Sequence, residues 1–194
     1  MSTSKLLNLC FSLWAVCVVA SILSPLLLLL SHSLILFNIG CALLIILTVF
    51  FQYTLLYQCW NLIPRNIAST TPAKAVGFLL IPIFNFYWMF IAYNRLGKDM
   101  NKTFQCCGVQ FQIKERLGWD YCISTLVFSV AYWCTGLPTW NRWFFNFDTD
   151  LFFIIGFVSQ IVGCVVGLVS IFVLIAFLRA IKNGAIALLE QGKQ

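Results

Sequence analysis

The sequence predicts an all-α integral membrane protein with four transmembrane helices and one proline-broken re-entrant or interfacial helical segment. Three observations carry that expectation: a composition too apolar for water, uncharged stretches long enough to cross a bilayer, and a lopsided placement of lysine and arginine. Apolar residues make up 61% of the chain and charged residues only 9%, with mean hydropathy +0.93. A soluble domain is roughly a quarter charged. With so few charges it would expose more apolar surface than a monomer tolerates. At 194 residues the natural division is a single membrane domain, 1–194.

The first span covers about residues 6–30, where 25 residues carry no charge. Its start, Lys5 ahead of an apolar run, resembles a secretory leader. The run is about twice a typical leader core, so it reads as a retained helix, with Pro25 kinking or capping its last turn. Ser31-His32-Ser33 is a short polar turn, and the second span, 34–56, holds only Asn38, Thr48 and Gln52 as polar groups. Two spans joined so closely should form a helical hairpin.

The third apolar stretch, Ala75–Tyr93, is interrupted by Pro82. Proline removes a backbone donor and biases Ile81 away from helical angles. Thr71-Pro72 reads as a helix start, and Asn85 as the cap of a second helix beginning at Phe86. The segment from about 72 to 100 therefore reads as two short helices, Pro72–Ile81 and Phe86–Met100, rich in the aromatics that favour the headgroup boundary. Further spans follow at about 121–137 and 151–178. Between them Trp140, Trp143, Phe144, Phe145 and Phe147 should lie flat at the outer interface. The alternation from Val109 to Lys114 allows a short strand.

Charge decides how this text is threaded. If 75–93 crosses fully, the better orientation leaves eight basic residues inside and four outside. If it enters and leaves on one face, eleven of the twelve lysines and arginines lie inside, and only Arg142 lies outside. The positive-inside rule selects the second threading, with both termini cytoplasmic.

Candidate sites are structural rather than catalytic. The Pro82–Trp88 corner, with Asn85, Tyr87 and Trp88, is either an interfacial aromatic wedge or non-helical backbone lining a cavity. The absence of an accompanying charge favours the wedge. Ser159, Gly163 and Gly167 fall at four-residue spacing, and Gly156 lies seven before Gly163. Such spacing suits close helix approach, within the bundle or between two copies. Gln160, beside them, should hydrogen-bond Gln52, Asn38 or a neighbouring backbone. The basic loop Asn94–Gly118 reads as a topology signal with loose attraction to lipid headgroups.

No P-loop, H-E-x-x-H or nucleophile elbow occurs, and the single histidine sits in the outer turn. No catalytic, cofactor-binding or metal-ligating residue is assigned, and no cofactor is expected. The nine cysteines include no C-x-x-C pair, and most sit in apolar runs as small hydrophobes. No basic stripe free of apolar spans exists, so nucleic acid is not an expected partner. The partners in view are the lipid bilayer and either a second copy or another membrane protein. The leading expectation is a non-enzymatic bundle acting through protein or lipid contacts. The alternative is a small-solute channel or transporter subunit using Asn38, Gln52, Asn85 and Gln160.

Pro72, Lys74-Ala75-Val76-Gly77, Ile81-Pro82, Phe84-Asn85-Phe86-Tyr87-Trp88, Phe90, Gly97-Lys98 and Asn101 resemble a segment of small, uncharacterised bacterial multi-pass proteins. The resemblance covers about a sixth of the chain. It implies a bacterial inner-membrane setting and transfers no catalytic residue.

Asn101-Lys102-Thr103 is an N-glycosylation sequon that this threading places in the cytoplasm. Expressed in a glycosylating host, the protein should migrate identically with and without glycosidase; a shift would overturn the threading.

Overall fold

The computed structural model describes residues 2–28, 34–135 and 149–191. The expectations for the His32 turn, for the aromatic loop over 138–148 and for the side chain of Asn38 lie outside the described residues. All regular secondary structure among the described residues is helical. Three helices there are long and apolar enough to cross a membrane, over Thr3–Ser21, Ile39–Asn61 and Ile154–Gln191.

The chain forms two compact units, one of residues 1–113 and 178–194, the other of 114–177. In the first unit, helix α1 (Thr3–Leu28) packs on helix α2 (Leu34–Asn61). Both are apolar on every side, so hydropathy alone does not say which face is inside. Burial does. On α1 the buried residues are Leu7, Cys10, Trp14 and Cys17, and on α2 they are Gln52, Leu55, Leu56, Cys59 and Trp60. These positions recur every three or four residues, the stripe of a helix with one packed face. The middle of α2 is bare instead, with Ile39, Leu43, Ile45, Ile46 and Phe50 all more than half exposed. Apolar side chains pointing several ways from one helix suit a hydrocarbon surround.

Short helices close the first unit. Helix α3 (Pro72–Gly77) passes into a 3-10 turn (Phe78–Leu80). Helix α4 (Pro82–Met89) is followed directly by a π-helical stretch (Phe90–Arg95) and helix α5 (Leu96–Cys107). Gly108, at φ 68, ends α5 in the left-handed region, and Val109 donates to the Phe104 carbonyl at 2.9 Å. That is the usual glycine stop of a helix. The strand expected over Val109–Lys114 does not form. The alternation there is real, because Ile113 is buried and Phe111 packs edge-on against Phe104 at 5.6 Å. With no second strand to pair with, it anchors a loop.

The second unit joins helix α6 (Arg116–Thr135) to the first part of helix α7 (Thr149–Gln191). Their seam is made of small and hydroxylated residues. A Cβ placed on Gly163 would meet Ala131 at 3.6 Å, and one on Gly167 would meet the Phe128 ring at 2.9 Å. Ser170 hydrogen-bonds Ser124 at 2.9 Å and Thr125 at 3.3 Å. Gly156, Gly163, Ser170, Phe177 and Gly184 recur every seven residues along α7, and all are buried. Arg116 and Asp120 pair at 3.5 Å across the first turn of α6, which is not one of the three helices long and apolar enough to cross a membrane.

In the first unit, a Cβ on Gly184 would lie 2.5 Å from Phe104 and 3.2 Å from Phe111, both ring atoms. Phe104 is itself fully buried. Gly184→Ala should therefore destabilise the detergent-solubilised protein by about 1–3 kcal/mol. Gly77→Ala is the control: its Cβ meets nothing within 4 Å and its φ of −61° is helical. It should leave the thermal midpoint unchanged or slightly raised.

Candidate functional site

The site is built around the proline break. Thr71, extended at φ −86° and ψ 150°, caps α3 by accepting from the Lys74 amide at 3.4 Å, and Pro72 takes the first helical position. Helix and 3-10 turn end at Ile81, whose φ of −87° and ψ of 111° are those of a residue before proline. The second helix then starts four residues earlier than the sequence suggests. It begins at Pro82, with Ile81 as its cap residue, and Asn85 lies inside its first turn. The Asn85 amide donates to the Ile81 carbonyl at 2.8 Å, and its half-buried side chain does no capping. The reason is that proline lacks the N–H a first-turn residue would leave unpaired, and its φ is already helical. The residue that breaks one helix starts the next.

Trp88 folds α4 back onto α3. Its indole N–H donates to the Ala75 carbonyl at 3.1 Å, and its ring meets Phe78 edge-on at 4.7 Å and stacks on Phe84 at 5.5 Å. Tyr87 touches the cluster only at its edge, its ring 5.9 Å from that of Phe84, and is 63% exposed. At the bend Leu80, Ile81 and Pro82 are exposed, and Ile83 is 88% exposed. The wedge thus has a pinned aromatic base and a bare apolar tip.

Behind the wedge the π-helical stretch brings buried polar groups together. Gln52 donates to the Tyr93 hydroxyl at 2.7 Å, and Trp60 donates to the Ala92 carbonyl at 3.2 Å. The carboxylate of Asp99 is buried and accepts from the Ser69 amide at 2.7 Å, with Lys102 at 3.7 Å. Asn101 grips Ile113 twice, donating to its carbonyl and accepting from its amide, each at 2.8 Å. Wide turns of this kind often occur at functional sites. Nothing in Phe90–Arg95 as text distinguishes it from ordinary helix, so the sequence offers no signal for it. Gln52, one of the partners expected for Gln160, is engaged within its own unit.

Between the end of α2, the loop that follows and the α3–α4 hairpin lies a groove of about 830 Å³. Arg65, Lys74, Ser69, Thr70, Phe78 and Trp88 are among its walls, and no carboxylate is. Pro64 braces the loop by accepting from the amides of Ile67 and Ala68, each at 2.9 Å. In the sequence Arg65 and Lys74 belong to the basic inner face without being singled out as a pair; that they line one groove depends on the fold of 61–71.

Of the other candidates, Gly163 and Gly167 face α6, Ser159 is half-buried and Gln160 is exposed. Cys106 and Cys107 are exposed at the end of α5, while Cys10, Cys17, Cys59 and Cys122 are buried. Among the described residues no three metal-ligating side chains gather. No family model, no curated protein and no solved structure matches the chain.

Replacing Asn101 with leucine would leave both the amide and the carbonyl of buried Ile113 unpaired. Each such group costs about 1–3 kcal/mol. Asn101→Leu should accordingly lower the thermal midpoint well below wild type, and Asn101→Asp should lower it too at neutral pH, because it sets a buried carboxylate oxygen against the Ile113 carbonyl.

Proposed function

We propose that the chain is a four-span membrane protein, with residues 72–100 as a re-entrant or interfacial segment and both termini in the cytoplasm, and that it works without catalysis. It acts at the cytoplasmic leaflet by contact with lipid and with a membrane-protein partner or a second copy of itself. The observation that carries this reading is the pairing of a bare apolar bend, Ile83 above all, with a pinned aromatic base beside basic residues. An apolar tip with cations at its base suits insertion from an anionic surface.

Within this proposal α6 is the fourth span, stabilised by its serine and glycine contacts with α7. Twenty residues of helix are about long enough. The bacterial inner-membrane setting belongs to the proposal too, and rests on the resemblance of residues 72–101. The channel alternative gains nothing from the geometry. Gln52 is committed to Tyr93, Asn85 lies in a helical turn and Gln160 is exposed.

Nitroxide labels test the arrangement, introduced singly as Lys74→Cys, Ile83→Cys and Lys98→Cys in the full chain with the exposed Cys106, Cys107 and Cys164 replaced by serine or alanine. In vesicles, the label at Ile83 should be relaxed by oxygen and shielded from an aqueous nickel chelate. Labels at Lys74 and Lys98 should be reached by the chelate from one and the same side. Reaching them from opposite sides overturns the threading, and a water-exposed Ile83 overturns the wedge.

A further inference from the structure

We propose that the groove behind the wedge is a headgroup site that holds the phosphate ester of an anionic phospholipid of the inner leaflet; this rests on the placement of residues 72–100 argued above. Two cations, Arg65 and Lys74, line the groove, and no carboxylate among its walls offsets them. Arginine and lysine are the side chains that hold phosphate, by a planar fork and as a point charge respectively. The hydroxyls of Ser69 and Thr70 stand in the same wall and offer further donors.

The walls are held in place before any ligand arrives. The buried Asp99 carboxylate ties down Ser69 through its amide at 2.7 Å, and Trp88 is tied to Ala75 at 3.1 Å. A pre-formed wall loses less freedom on binding than a loose one. Asp99 spends its charge on Ser69 and Lys102 and is not a wall of the groove.

The phosphate ester belongs to a lipid rather than to a free solute because part of the wall is aromatic. Phe78 and Trp88 line the groove half-buried, and the Trp88 indole N–H is already donated to the Ala75 carbonyl. What Trp88 offers a ligand is ring surface, while fully buried Trp60 only backs the wall. The hairpin that supplies Phe78 and Trp88 to the wall continues into exposed Leu80 and Ile81. A bound molecule therefore meets cations and hydroxyls together with aromatic faces, and acyl chains have an apolar edge to follow. A volume of about 830 Å³ exceeds what a bare phosphate needs and lies within the usual range for small-molecule sites.

The test titrates the full chain in mild detergent with phosphatidylglycerol or phosphatidylcholine and counts bound lipid by native mass spectrometry. Wild type should retain one tightly held phosphatidylglycerol, with a preference over phosphatidylcholine of about twenty-five-fold, the product of a roughly five-fold gain for each basic residue. Arg65→Gln with Lys74→Gln should abolish that preference. Arg95→Gln with Lys98→Gln removes the same charge outside the groove and should leave it intact. Equal loss in both double variants overturns the site in favour of diffuse surface charge. Displacement of the lipid by millimolar inorganic phosphate overturns the lipid as the ligand. Wild type without any preference sinks the site alone when Lys74 and Lys98 label from one side; labelling from opposite sides sinks the site and the threading together.

Discussion

A helix that stops frees carbonyls and amides, and wherever these are shut off from water each has to find a partner in the protein. At the Pro82 break that requirement is met locally. Ile81 donates to the Phe78 carbonyl at 3.4 Å, Asn85 donates to the Ile81 carbonyl at 2.8 Å, and Trp88 supplies a donor for Ala75. Proline itself brings no amide to satisfy. The bend is thereby closed without a charge, so it can carry exposed Leu80, Ile81 and Ile83 at its tip. The closure holds α4 against α3, and Phe78 and Trp88 of that hairpin form part of the groove's wall.

The polar residues of the first unit have a related task. Asp99, Asn101 and Gln52 are buried, and each ties together segments distant in sequence: Asp99 to Ser69, Asn101 to Ile113, Gln52 to Tyr93. A buried carboxylate needs partners for its charge, and Asp99 has an amide and a lysine. These contacts make up for what hydropathy cannot specify. Apolar helices attract lipid and one another about equally, so their association is set by packing and by directional bonds.

That imbalance explains which features were legible in the sequence. The long apolar helices were, because length and hydropathy are summed over twenty residues and tolerate local error. The start of α3 at Thr71-Pro72 was also legible, since cap chemistry is local. The start of α4 was misplaced onto Asn85 because proline had been weighed as a breaker and not as the first residue of a helix. The buried stripe on α2, from Gln52 to Trp60, was hidden among equally apolar neighbours. The π-helical turn and the convergence of Arg65 and Lys74 were invisible, because both depend on contacts made across thirty or so residues, such as Ser69 with Asp99.

The glycines of α7 show how one text pattern divides its work. Gly163 and Gly167 let α6 approach to van der Waals contact, and Gly184, three seven-residue steps beyond Gly163, accepts the Phe104 ring in the first unit. The small-residue seam is thus already occupied where it could have served a second copy of the chain. Among the residues that remain bare on α7 are Ile154, Phe157, Val158, Ile161, Val165, Leu168, Val169 and Phe172, large apolar side chains of the kind that meet acyl chains. Large flexible side chains on the outside and small ones on the inside are the reverse of a glycine-driven dimer. That arrangement speaks against recognition through a helix seam on α7. On the function proposed above, recognition falls instead to the end where the proline hairpin, the two cations and the hydroxyl-bearing loop come together.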